Sequence, residues 1–163
     1  MMPWRALHLI STMIGIILSI GLSFFLPDRV ATHFDIYGHP DSWASNLSNT
    51  ILFCGLFVFF GLLFSGVKFL LGKLPASLIN MPNREYWFAP ERREASLAKV
   101  AIFMAEFGFF ANLFFTAILF LTFYANRNAT GLSISLMLVM LAAFLVFVIG
   151  WIIHLYRAFK LPN

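Results

Sequence analysis

The chain has 163 residues, of which 61% are hydrophobic, 18% aromatic and only 11% charged. Soluble domains carry about 25% charged residues, so too few are present here to cover a water-facing surface, and a bilayer is the expected solvent. A scattered net charge of +4 argues against nucleic-acid binding, and a lone cysteine, Cys54, excludes both an intramolecular disulfide framework and a CxxC zinc or redox site.

Four apolar runs reach the roughly 20 residues needed to cross a hydrocarbon core. They cover about residues 7–26, 50–71, 100–124 and 132–155. A signal peptide is the rival reading of the first, because Arg5 precedes it. Its apolar stretch is longer than the usual 7–15 residues, and no A-x-A-like cleavage site follows. It is expected to be a retained helix. The expected fold is an all-α integral membrane protein, a single bundle of four transmembrane helices with an outer loop at 27–49 and a cytoplasmic elbow at 72–99.

Orientation follows from the positive-inside rule. Arg5, Lys68, Lys73, Arg84, Arg92, Arg93, Lys99, Arg157 and Lys160 fall on the side of the termini and the elbow, against Arg29 and Arg127 on the other. Nine against two places both termini in the cytoplasm. Trp4, Trp87 and Trp151 lie near span ends, as interfacial anchors do.

In the first span Ser11, Gly15, Ser19 and Ser23 recur at four-residue steps, and Gly61 and Ser65 repeat the interval in the second. Small residues so spaced let another helix backbone approach closely. Intramolecular packing is the plainer use of this stripe; a homodimer seam is the other.

The outer loop contains HFDIYGHPDSW, two His-x-Asp pairs within nine residues. Imidazole plus carboxylate suits zinc or another divalent ion, and Gly38 with Pro40 supplies a turn that folds the second pair onto the first. His33, Asp35, His39 and Asp41 are therefore the candidate metal ligands. The plainer alternative is a folded recognition loop, with Asp41 or Ser42 capping a short helix and His33 bonded to a loop carbonyl. No spacing marks an activated nucleophile or an oxyanion hole, so no enzyme is expected.

The inner loop reads LINMPNREYWFAPERREASLAK. Pro90 fits the first position of a helix, and Glu91 and Glu94 suit its dipole, so the third helix should begin near Pro90, before the membrane. Arg92 and Arg93 could then meet anionic headgroups. Within the third span, Glu106 and Asn112 are the intramembrane polar residues. An intramembrane carboxylate raises a relay hypothesis by default, with Lys99, Lys68, His8 and His154 as candidate partners; a structural ion pair is the alternative.

LPDRVATHFDIYGHPDSWAS resembles the signature of a bacterial membrane domain of unknown function that also forms the N-terminal part of SdpI-type immunity proteins. The matching positions are Pro27, His33, Phe34, Gly38, Asp41, Trp43 and Ser45; Asp35 stands where that pattern has asparagine and Ala44 where it has glycine. INMPNREYWFAPERRE resembles stand-alone members of the same family, through Asn80, Pro82, Tyr86, Trp87, Pro90, Glu91 and Arg92. The resemblance implies a non-enzymatic multi-pass protein of the bacterial cytoplasmic membrane. Its role would be protective or signalling, with an outer loop that recognises a peptide or membrane-protein partner. Two other readings stay open: a metal-binding accessory subunit or small transporter, and a structural subunit of a membrane complex.

Overall fold

A computed structural model describes residues 3–162. Helix α1 covers Trp4–Ser23. Strands β1, Arg29–Phe34, and β2, Pro40–Ser45, follow. Next come helix α2, Asn46–Lys73, a 3-10 turn at Ala76–Leu78 and a one-turn helix α3, Arg84–Trp87. Helices α4, Pro90–Arg127, and α5, Ile134–Ala158, complete the chain.

The four long helices, α1, α2, α4 and α5, are each long and apolar enough to cross a membrane. Helix α4 starts at Pro90, as its sequence requires: proline takes the first helical position, where no N–H is needed. With 38 residues at 1.5 Å each it is about 57 Å long. That exceeds a hydrocarbon core of about 30 Å, and the first turns of α4 carry the elbow and meet the end of α2.

Helices α1, α2 and α4 pack on one another pairwise, and α5 rests on α4. The small-residue stripe of α1 is spent inside the chain. Gly15 faces the Phe57 ring so closely that a Cβ would enter it, and a Cβ on Gly61 would come within 2.7 Å of Thr12. Ser11, Thr12 and Ser19 are buried, and their hydroxyls donate to the carbonyls of His8 and Gly15, three or four residues back. Each polar side chain is thereby satisfied within its own helix, which a lipid environment demands.

Helix α5 buries no residue. It is held by aromatic contacts, Phe110 to Phe147 at 4.2 Å and Phe114 to Phe144 at 4.6 Å between ring centres. The Trp151 indole N–H donates to the Phe103 carbonyl at 3.1 Å. Trp151 thus ties α5 to α4, a role in packing that its position near a span end did not reveal.

The segment expected as an outer loop is a β-hairpin. Its antiparallel register pairs Arg29 with Ser45, Val30 with Ala44, Ala31 with Trp43, His33 with Ser42 and Phe34 with Pro40, with irregularities on either side of His33. Asp41 and Ser42 lie in β2 and cap nothing. The cap of α2 is Ser45, whose hydroxyl accepts from the Ser48 amide at 3.0 Å.

Candidate functional site: a clamped hairpin and a polar cluster between helices

The hairpin is fixed at three places. At its base, the Asn46 side-chain amide donates to the Ser23 carbonyl at 2.8 Å, tying the start of α2 to the end of α1. Along β1, Asn126 in the last turn of α4 accepts from the Ala31 amide at 2.6 Å and donates to the Ala31 carbonyl at 3.0 Å. One carboxamide thus bonds both backbone groups of Ala31, as a neighbouring strand would, and Val30 and Ala31 are buried beneath it. At the tip, the Leu132 amide donates to the Gly38 carbonyl at 2.8 Å. Gly38 has φ +87°, and a Cβ there would strike the Leu132 carbonyl oxygen, so both conformation and contact call for glycine.

Asp35 builds the turn. Its Oδ1 accepts from the amides of Tyr37 and His39, both at 2.8 Å, the way aspartate closes an Asx-type turn. The His39 amide, helped by the Tyr37 amide and the nearby His39 imidazole, holds this carboxyl below the ordinary aspartate range. His39 Nδ1 lies 3.3 Å from Asp35 Oδ2, while His33 Nδ1 lies 2.5 Å from Asp41 Oδ1. The four candidate metal ligands therefore resolve into two separate His–Asp pairs. Among the described residues no three or more His, Cys, Asp or Glu side chains are grouped to hold a metal ion. The expected centre for zinc or another divalent ion is not assembled, because the Asp35 carboxylate is occupied by backbone amides and Asp41 by His33. Around these pairs Ile36 and Tyr37 at the tip, and Trp43 on β2, are exposed.

The second arrangement lies between α1, α2 and α4. Asn112, completely buried, donates from Nδ2 to Ser11 Oγ at 2.9 Å and to Thr12 Oγ1 at 2.8 Å. Its Oδ1 has no partner among the described residues. His8, also buried, donates from Nε2 to the Gly61 carbonyl at 3.4 Å and lies against Gly108, where a Cβ would come within 2.7 Å of the ring. Glycine at 108 is what admits this imidazole.

Glu106 does not join the cluster, and its proposed partners are engaged elsewhere. Lys68 pairs with Glu94 at 2.5 Å. Lys99 donates to the Ala158 carbonyl and sits over the rings of Trp87 and Phe159. His8 is in the interior, and the His154 ring meets Phe103 edge-on. No ion pair of Glu106 forms among the described residues. Since Gly108 is level with His8, Glu106 lies about 3 Å further along α4, beside the first turns of α1.

In the elbow, Trp87 Nε1 and Asn83 Nδ2 both donate to the Phe159 carbonyl at 2.8 Å, gathering the end of α5 onto α3. Arg92 donates to the Tyr86 carbonyl at 2.8 Å and lies 4.0 Å above the Tyr86 ring centre. Arg93 donates to the Leu74 carbonyl at 2.5 Å and, at 3.3 Å each, to those of Leu71 and Gly72. Both arginines fasten the elbow, Arg93 by capping α2. Ile79, Phe88, Leu97, Val100, Phe103 and Phe159 form the apolar core beneath. Of the remaining motif positions, Pro82 is half-buried, while Asn80 and Glu91 are exposed. Asn126, Asn83 and Phe159, which carry much of this geometry, have no signal in the sequence beyond being polar or aromatic residues near helix ends.

Four helices long and apolar enough to cross a membrane, with a clamped hairpin at one end and a folded elbow at the other, point to a multi-pass membrane protein. A family model described as a domain of unknown function, DUF1648, matches residues 10–59, which hold most of α1, the whole hairpin and the first half of α2. No curated protein matches the chain, and no solved structure does.

Proposed function

We propose that the protein is a non-enzymatic component of the bacterial cytoplasmic membrane, with both termini and the elbow inside and the hairpin outside, where it recognises a peptide or membrane-protein partner. The charge asymmetry of nine basic residues against two supports that orientation. The observation that carries the reading is the hairpin itself. It is fastened to α1, α4 and the α4–α5 connection, yet leaves Ile36 79%, Tyr37 74% and Trp43 48% exposed. A preorganised element with large apolar side chains on its surface is suited to binding, because little ordering entropy remains to be lost. The resemblance to the N-terminal part of SdpI-type proteins directs the reading towards protection or signalling.

The test is complementation. A deletion strain challenged with envelope-active peptides should be sensitised, and the wild-type gene should restore resistance. Tyr37→Ala and Trp43→Ala should fail to restore it at equal membrane abundance. Full rescue by both variants would remove the recognition role from the hairpin.

A further inference from the structure

A cavity of about 460 Å³ opens between α1, α2 and α4 at the end of the bundle that carries the elbow. It lies within the roughly 300–1,000 Å³ typical of small-molecule sites. Its lining is of two kinds. Arg5, Lys68 and Glu94 are its charged lining, contributed by the three helices in turn. The rest is chiefly apolar: Leu9 from α1, Phe64 and Phe69 from α2, and the small side chain of Ala105 from α4, with buried His8 beside them. Lys68 is already balanced by Glu94 at 2.5 Å, whereas Arg5 makes no ion pair among the described residues. The cavity therefore presents two cations against one carboxylate, a net positive site beside an apolar lining. Arg5 is in the first turn of an apolar 20-residue helix, and the end of such a helix is where a spanning segment meets a bilayer's phosphates. Basic pockets between membrane helices are where phosphorylated headgroups bind.

We propose that this cavity binds one anionic phospholipid, its phosphodiester held by Arg5 and Lys68 and an acyl chain lying along Leu9, Phe64 and Phe69. Glu94, whose side chain is 80% exposed, turns to solvent as the phosphate takes its place beside Lys68. The interior accepts the chain because position 105 is alanine and Ser65 is small. The site uses neither the hairpin nor its partner, so it stands whether or not the outward recognition role is correct.

Native mass spectrometry of the full chain tests it, after delipidation in mild detergent and titration with phosphatidylglycerol or phosphatidylethanolamine. The wild type should take up one phosphatidylglycerol in preference to phosphatidylethanolamine. Arg5→Gln combined with Lys68→Gln should weaken phosphatidylglycerol binding roughly 30-fold, as expected of two basic contacts at a membrane surface, and weaken phosphatidylethanolamine, whose own ammonium already offsets its phosphate, by clearly less. Ser65→Trp, at an exposed position on the cavity lining, should reduce binding of both lipids. Arg84→Gln combined with Arg157→Gln removes the same charge elsewhere and should change neither. Size-exclusion profiles and melting temperatures establish that each variant is folded; if the Arg5 and Lys68 variant does not fold, Ser65→Trp decides. Equal affinity of the wild type for the two lipids overturns the proposal. So does an equal loss in the control pair, or full phosphatidylglycerol binding by Ser65→Trp.

Discussion

Asn126→Ala removes the side chain that, among the described residues, bonds β1 to α4. Two hydrogen bonds to the Ala31 backbone disappear, at 2.6 and 3.0 Å, together with one from Asn126 to the Thr122 carbonyl at 3.0 Å within the helix. Ala31 is only 3% exposed, so its N–H and C=O find water only when β1 lifts. Each intramolecular bond contributes about 0.5–1.5 kcal/mol net, and a buried group left without a partner costs more. Loss of the pair should thus favour local opening of β1 by about 1–3 kcal/mol, a factor of roughly 5–150 in the opening equilibrium. Hydrogen exchange of the protein in nanodiscs reads this directly, since local opening sets amide protection. Exchange over residues 29–34 should accelerate by that factor, while α1 and α2 keep their protection. Asn128→Ala is the matched control, because Asn128 bonds only the Tyr124 carbonyl of its own helix and is exposed. If Asn126→Ala exchanges like the wild type, or no faster than Asn128→Ala, the clamp is not what holds the hairpin.

Asp35→Asn should keep the hairpin turn, because an asparagine Oδ1 can accept the same two amides, and the Tyr37 and His39 amide resonances should stay near their wild-type positions. In the wild type the Asp35 carboxyl is held below its ordinary value, so its contribution to the turn is complete above the ordinary aspartate pKa of about 3.9. It should be lost as pH falls through the lower folded value. The same two resonances, followed by NMR, should move in that range in the wild type and not in Asp35→Asn; identical acid behaviour of both would dismiss the role of the carboxylate. Gly15→Ala places a Cβ inside the Phe57 ring and should destabilise α1–α2 packing by about 1–3 kcal/mol, the usual cost of overpacking. A denaturation midpoint in detergent equal to the wild type would contradict that. Arg93→Ala strips the cap from α2 and should cost about 1 kcal/mol or more, with faster exchange confined to residues 71–79; unchanged exchange there would show that the capping bonds contribute nothing.

The helices were legible because crossing a bilayer requires length and apolarity together, and both are written in local sequence. Pro90 marked the start of α4 for an equally local reason, and the Ser11, Gly15 and Ser19 spacing marked the face on which α1 packs. The hairpin was not legible as sheet. RVATHF and PDSWAS alternate weakly, Pro40 lowers strand propensity, and pairing rests on Asn126, which is 95 residues from Ala31. The four candidate donors are not grouped among the described residues, for a related reason. Residue types suggested four donors, but the backbone had prior use for one of them: Asp35 closes the turn, after which His33 and Asp41 pair across the strands. The asparagine that the resembling pattern carries in place of Asp35 can make the same amide bonds. That position thus reads as turn chemistry in either form. The bonds of Arg92 and Arg93 were not legible either, since which carbonyls end near them depends on how the elbow folds.

Site-directed labelling tests the central claim most directly. In a Cys54→Ser background, Tyr37→Cys at the hairpin tip and Ser77→Cys in the elbow are both exposed positions. With a membrane-impermeant maleimide on spheroplasts, Tyr37→Cys should label at once and Ser77→Cys only after the membrane is permeabilised. Labelling of Ser77→Cys in sealed spheroplasts, with Tyr37→Cys protected, would put the hairpin inside and contradict an outward recognition element.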